Sequence, residues 1–141
     1  MNDVERLLAE REVTRLVLRY AQLNDAGDFD GLAALFAENG QFVRPSGGTP
    51  VTGRAAILAS YKERPPRISR HLITNILPEI VDEKTATCAS TILLYSAPAG
   101  DLPANAAGPA LLGGFNDRLI KTSEGWRFLE RRGYLDLKIG A

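Results

Sequence analysis

Apolar positions recur every three to four residues through the first part of the chain. They give way to runs of β-branched and aromatic residues in the second part. Over residues 4–26, Val13, Leu16, Val17 and Tyr20 mark one face of a helix, while Glu5, Glu10, Arg11, Glu12 and Arg15 form a solvated face. Gly27 supplies a stop and Asp28 an N-cap. A second short helix then runs through Leu32 and Leu35-Phe36. Asn39-Gly40 reads as a turn, and Gln41-Phe42-Val43 lies in a short strand near 40–45. Ser46 to Pro50 is a loop. Gly53-Arg54 begins a third helix that reaches Lys62, and Pro65-Pro66 ends it.

The remainder reads as strands near 69–81, 85–97, 111–122 and 126–137, rich in Ile, Thr, Leu, Val, Phe and Tyr. Asp82-Glu83-Lys84 and Thr122-Ser123-Glu124-Gly125 are short polar breaks suited to antiparallel hairpins. Pro98 to Pro109 is a Pro/Ala/Gly-rich connection that suits a pocket rim better than a domain boundary. Gly113-Gly114, inside a strand, reads as a bulge or bend. Helices followed by an antiparallel meander is an α+β order. It predicts one α+β domain over 1–141, with helices first and a curved, mainly antiparallel sheet after them. Ile92, Leu94, Leu119 and Leu129 imply apolar residues on both sheet faces. A homodimer, or another homo-oligomer, through the outer face is therefore expected.

Charge and rare residues narrow the function classes. Lys plus Arg and Asp plus Glu both total 17, so no cationic surplus favours nucleic acid. The single cysteine, Cys88, forms no intramolecular disulfide and reads as a small buried hydrophobe. The single histidine, His71, leaves no histidine cluster for a metal. No Gly-rich phosphate loop follows a strand, so the expectation is that neither metal nor cofactor is required. No apolar run approaches the roughly 20 residues that span a bilayer. The N-terminus is charged on both signs and lacks a signal core. A cytoplasmic protein without membrane contact is the expectation.

Three residues draw attention as chemistry. Tyr20 and Asp25 lie roughly 140° apart on an ideal helix, so they converge only if the helix ends near 24–26. A carboxylate at a helix C-terminus, desolvated in an apolar pocket, has its pKa pushed upward, which suits proton transfer. Asp25 reads equally as a solvated helix end, and Tyr20 as a core aromatic. His71 shares a strand face with Ile73 and Asn75 by alternation, and is a structural or a catalytic histidine. Phe42, Tyr61, Asn75, Tyr95, Phe115, Asp117 and Arg131 are candidates for the pocket lining, and Trp126 and Tyr134 are lesser ones. Arg118, Arg127, Arg131 and Arg132 read as cations on the outer sheet face, with Asp117 in a cross-strand ion pair.

The run Arg19-Tyr20-Ala21 to Asp25, then Asp28 and Leu35-Phe36-Ala37-Glu38, resembles the opening of SnoaL-like proteins of the nuclear transport factor 2-like superfamily. Gly53-Arg54 with Ile57, the strand Arg70-His71-Leu72-Ile73-Thr74-Asn75, and Asp117-Arg118-Leu119 to Gly125-Trp126-Arg127-Phe128 extend the likeness over nearly the whole chain. The resemblance implies a cystatin-like α+β roll, a cone-shaped α+β barrel with three N-terminal helices packed in the curved, mainly antiparallel sheet, around a small-molecule pocket. Its dehydratase-type branch, which includes scytalone dehydratase and bile-acid 7α-dehydratase, sets a Tyr and an Asp at the end of the first helix against a strand His. Tyr20, Asp25 and His71 match those positions. The implied activity is a cofactor-independent lyase or isomerase acting on a hydrophobic oxygenated ring such as a steroid, polyketide or terpenoid. His71 would be the base, Asp25 its orienting partner and Tyr20 a donor to the substrate oxygen. Scytalone dehydratase uses a second histidine, which this chain lacks. The same superfamily holds noncatalytic binding and assembly domains. It also holds an epoxide hydrolase branch with an Asp-Arg-Asp set, part of which Asp117 and Arg131 could supply.

Overall fold

In the computed structural model, described over residues 1–140, two helices precede the first two strands of a six-stranded mixed sheet, and the third helix lies between its second and third strands, not ahead of the sheet. Helix α1 (Asp3–Ala26) opens on a capping box in which Asn2 and Glu5 satisfy each other's backbone N–H groups. It buries Val13, Leu16, Val17, Tyr20 and Ala21 on one face and ends at Gly27 with φ 74°, a left-handed cap that favours glycine. Asp28 caps α2 (Phe29–Ala33) by accepting from the Gly31 N–H. Helix α3 (Arg54–Lys62) buries Ile57 and Tyr61. No helix among the described residues is long and apolar enough to cross a membrane.

The strands are β1 (Phe36–Val43), β2 (Val51–Thr52), β3 (Arg67–Ile80), β4 (Thr85–Pro98), β5 (Ala110–Thr122) and β6 (Gly125–Ile139). Their lateral order is β2-β1-β6-β5-β4-β3. β3 to β6 form the expected antiparallel meander, and β1 joins β6 in parallel. The curved sheet is open, with β2 and β3 as its edges, so it is a roll and not a closed barrel.

The second helix and first strand differ from the sequence pattern. The helix stops at Ala33 because the Leu35 carbonyl already accepts from the Phe128 N–H of β6. The chain therefore enters β1 by Phe36. Asn39-Gly40 lies within β1, where the register against β6 shifts, and is not a turn. A Cβ on Gly40 would press within 3.0 Å of the Phe128 carbonyl oxygen.

Tyr20, Phe36, Phe42, Phe115, Phe128 and Trp126 fill the concave side. Fully burying a side chain of this size contributes roughly 1.5–3 kcal/mol. Cys88 lies in this core, and its burial pushes the thiol up to about 12. Ile92, Leu94 and Leu119 also point inward by alternation. The apolar residues exposed on β3 and β4 are instead Leu72, Leu77 and Tyr95. Gly113 and Gly114 sit beside a register shift between β5 and β6. A Cβ on either would collide with the carbonyl oxygens of Tyr134 or Ser90.

Candidate active site

The curvature leaves a cavity of about 260 Å³ between the sheet, the end of α1 and the stretch from the end of α3 to the start of β3. Small-molecule pockets run from roughly 300 Å³ upward, so this one suits a compact ligand. Phe42, Ile73, Ile92, Leu94 and Phe115 give it apolar walls. Tyr20, Tyr61, His71 and Arg131 are among its polar groups.

His71 stands on edge strand β3 opposite the last turn of α1. Its ring Nδ1 lies 2.5 Å from Asp25 Oδ1. The same carboxylate accepts the His71 backbone N–H at 2.9 Å and the buried Ser69 hydroxyl at 3.0 Å. Burial alone would push the Asp25 carboxyl up. The bonds from the His71 side chain, the His71 backbone and Ser69 outweigh it and hold the carboxyl below its ordinary value. The upward shift expected for a helix-end carboxylate is therefore reversed, because three donors converge on it. An ionised Asp25 cannot donate, so Nδ1 carries the proton and donates. The other ring nitrogen, Nε2, makes no hydrogen bond to any described residue, and the ring lines the cavity.

Tyr20 does not join this pair. Its hydroxyl hydrogen-bonds that of Tyr61, and both rings line the cavity. Burial raises the pKa of Tyr20 well above the ordinary value and raises that of Tyr61, so both stay protonated at neutral pH. Beside them Arg131 is 1% exposed. Its guanidinium lies 4.3 Å from the Tyr20 ring centre, 3.9 Å from that of Phe115 and 4.6 Å from that of Phe128. Its Nε donates to Asp117 Oδ1 at 3.0 Å. Asp117 is buried with Oδ2 unpartnered, and desolvation raises its carboxyl to about 6 despite the arginine.

Of the sequence candidates, Tyr20, His71, Phe42, Tyr61, Phe115, Arg131 and Tyr134 face one cavity, and Asp25 stands behind His71. Asn75 does not. A bulge between Thr74 and Leu77, with Asn75 at φ 51°, breaks the alternation and leaves Asn75 exposed. Tyr95 is 45% exposed, because Ile92 and Leu94 hold the inward positions of β4. Asp117 lies against Arg131 and does not line the cavity. Arg131 is not a surface cation, and Arg118 approaches Glu130, not Asp117. Trp126 is core. The sequence pattern overlooked Ser69, which the two-residue alternation from His71 could have placed beside Asp25. It also overlooked Arg44 and Arg64, in loops without periodicity, and Arg67, the first residue of β3, all of which line the cavity.

A SnoaL-like domain model matches residues 5–132, and the chain belongs to that family, which includes polyketide cyclases and dehydratases. Among solved structures, a provisionally named scytalone dehydratase from Novosphingobium aromaticivorans aligns with a TM-score of 0.84 at 22% identity, covering 99% of this chain and 92% of that one. At that identity the likeness concerns the fold. A nuclear transport factor 2-like protein with a cystatin-like fold, also from Novosphingobium aromaticivorans, gives 0.73 at 25% identity over 92% and 84%. A Mycobacterium tuberculosis protein of unknown function gives 0.75 at 28% identity over 96% and 77%. The chain thus has the nuclear transport factor 2-like, cystatin-like fold.

Proposed function

We propose that the protein is a cofactor-independent lyase, dehydratase-like, or an isomerase of a small hydrophobic ring substrate bearing a carbonyl oxygen. The observation that carries this reading is the Asp25–His71 pair, whose free ring nitrogen belongs to a ring lining an otherwise largely apolar cavity. His71 Nε2 takes a proton from the carbon next to the carbonyl, and Asp25 stabilises the imidazolium that forms. The Tyr20–Tyr61 pair has two hydroxyl protons and uses one between its members. The other donates to the carbonyl oxygen as negative charge develops there. The imidazolium then returns the proton to a leaving hydroxyl, which departs as water, or to another carbon of the ring. With a single histidine, removal and return occur on one face of the substrate.

General-base catalysis typically contributes about 10²–10⁴-fold. Turnover of a panel of β-hydroxy ketones and unsaturated ring ketones should fall by that factor in His71→Ala, with circular dichroism unchanged. Asp25→Asn should also lower it. A folded His71→Ala protein with full turnover would leave the pair structural and make the chain a noncatalytic binding domain. The epoxide hydrolase reading is weaker, since Asp117 does not line the cavity and no other aspartate or glutamate does.

We also propose a homodimer through the outer sheet face, supported by Leu72, Leu77 and Tyr95, which are 53%, 60% and 45% exposed. Sedimentation as a monomer at high micromolar concentration would refute it.

A further inference from the structure

The cavity mouth carries an imbalance of charge that the proposed chemistry does not use. Arg44 follows β1, and its Nη2 donates to the Ser60 carbonyl at 3.1 Å, which anchors the guanidinium and leaves its other N–H groups available. Arg64 and Arg67 flank the Pro65-Pro66 turn between α3 and β3. The Arg64 guanidinium lies 5.0 Å over the Tyr61 ring. All three line the cavity, which has no aspartate or glutamate in its wall, and none of the three forms an ion pair with a described residue. Arg131 is already neutralised by Asp117. The arginines also feel one another. Partial desolvation and the neighbouring charge of Arg64 make Arg67 a weaker base than usual, against the opposing pull of Tyr61 and the Asp25 carboxylate, and Arg64, Arg131 and Arg44 all act on the Tyr61 hydroxyl. Like charges gathered at an apolar cavity with no carboxylate in its wall are relieved by an anion. Guanidinium forks match the oxygens of a carboxylate or phosphate.

We propose that this pocket selects an apolar ring molecule carrying an oxyanion, a carboxylate or a phosphate, which Arg44, Arg64 and Arg67 hold at the mouth while the ring reaches His71. This deepens the proposed function by naming its substrate class, and it rests on the same cavity being the substrate site. A neutral ring of the same shape leaves the three cations without an ion-pair partner and binds more weakly.

His71 is the only histidine, so its imidazole carbon–proton NMR signal reports occupancy of this cavity without ambiguity. The wild-type protein is titrated with 2-naphthoate, 2-naphthyl phosphate and the neutral 2-naphthamide. At least one anion should saturate the His71 shift at a concentration about tenfold or more below the amide. Whichever anion does so separates carboxylate from phosphate. Arg44→Gln combined with Arg67→Gln should close the gap by weakening the anion and leaving the amide within about twofold. The proposal is overturned if the amide binds as tightly as both anions. It is also overturned if neither anion moves the signal at millimolar concentration, or if the double variant weakens all three alike. The His71→Ala turnover test separates the two readings. An anion preference with full turnover in His71→Ala keeps the anchors and removes the base. No preference with turnover lost keeps the base and removes the anchors.

Discussion

Asp25 and Asp117 each accept a bond from one basic side chain, His71 at 2.5 Å and Arg131 at 3.0 Å. Their carboxyls nevertheless shift in opposite directions. Asp25 sits at the end of α1 beside an edge strand, where the His71 backbone and the Ser69 hydroxyl also donate to it, and it falls below its ordinary value. Asp117 sits mid-strand in β5 with Oδ2 unpartnered, and it rises to about 6 although its partner carries a permanent charge. The number of donors, set against the loss of water, decides the sign. The charge of the nearest partner does not decide it alone. Asp25 is thereby fitted to support a proton transfer at His71. Asp117 fixes an arginine among aromatic rings.

The largest effect should come from breaking the buried pair on one side. Arg131→Met strands Asp117 and removes the cation from the Tyr20, Phe115 and Phe128 rings, and urea unfolding should show a loss of about 3–5 kcal/mol. Adding Asp117→Leu should restore much of it. A double variant as unstable as the sum of the two single variants would show that the pair is not coupled.

Next in size is a difference in pH dependence. Native Asp117 keeps its proton to about pH 6, whereas the unfolded chain releases it near pH 3.9. Between those values the native state binds more protons, so the Asp117 contribution falls as pH rises, by up to about 3 kcal/mol. Asp25 runs the other way. Its contribution is present above the unfolded carboxyl value and is lost as pH falls through the lower native one. Urea midpoints of the wild type minus Asp117→Asn should therefore decline from pH 4 to 6. Wild type minus Asp25→Asn should rise out of the acid range. Slopes of the same sign in both differences would undo the contrast.

The smallest effect isolates one donor. Ser69→Ala removes a single bond to Asp25, should cost about 1 kcal/mol, and should move the acid limb of the stability curve toward higher pH.

The sequence made the helical face of α1, its glycine stop and the four long strands readable, because burial imposes a period of 3.6 or 2 on each. It could not reveal the partner of Tyr20, since Tyr61 lies on α3 and meets it only after the helices close over the sheet. Asn75 misled because alternation holds only until a bulge shifts it, and no residue type announces that bulge. Tyr95 misled because both parities of β4 carry apolar side chains near its end. Arg131 looked like a neighbour of three surface arginines in the chain. Only the register Asp117↔Arg131 across β5 and β6 takes it inside.

One bond of Asp25 has a consequence beyond chemistry. β3 is the longer of the two free margins of the sheet, and an outward backbone N–H on such a strand is an open invitation to another chain. At His71 that donor is already occupied by the carboxylate from α1. The residue that orients the proposed base thus also seals part of the margin against aggregation. Any attempt to retune this site by replacing Asp25 should be watched for turbidity as well as for rate. Redesign of the pocket is safer from the β4 and β5 walls, where both neighbours of each strand are already in place.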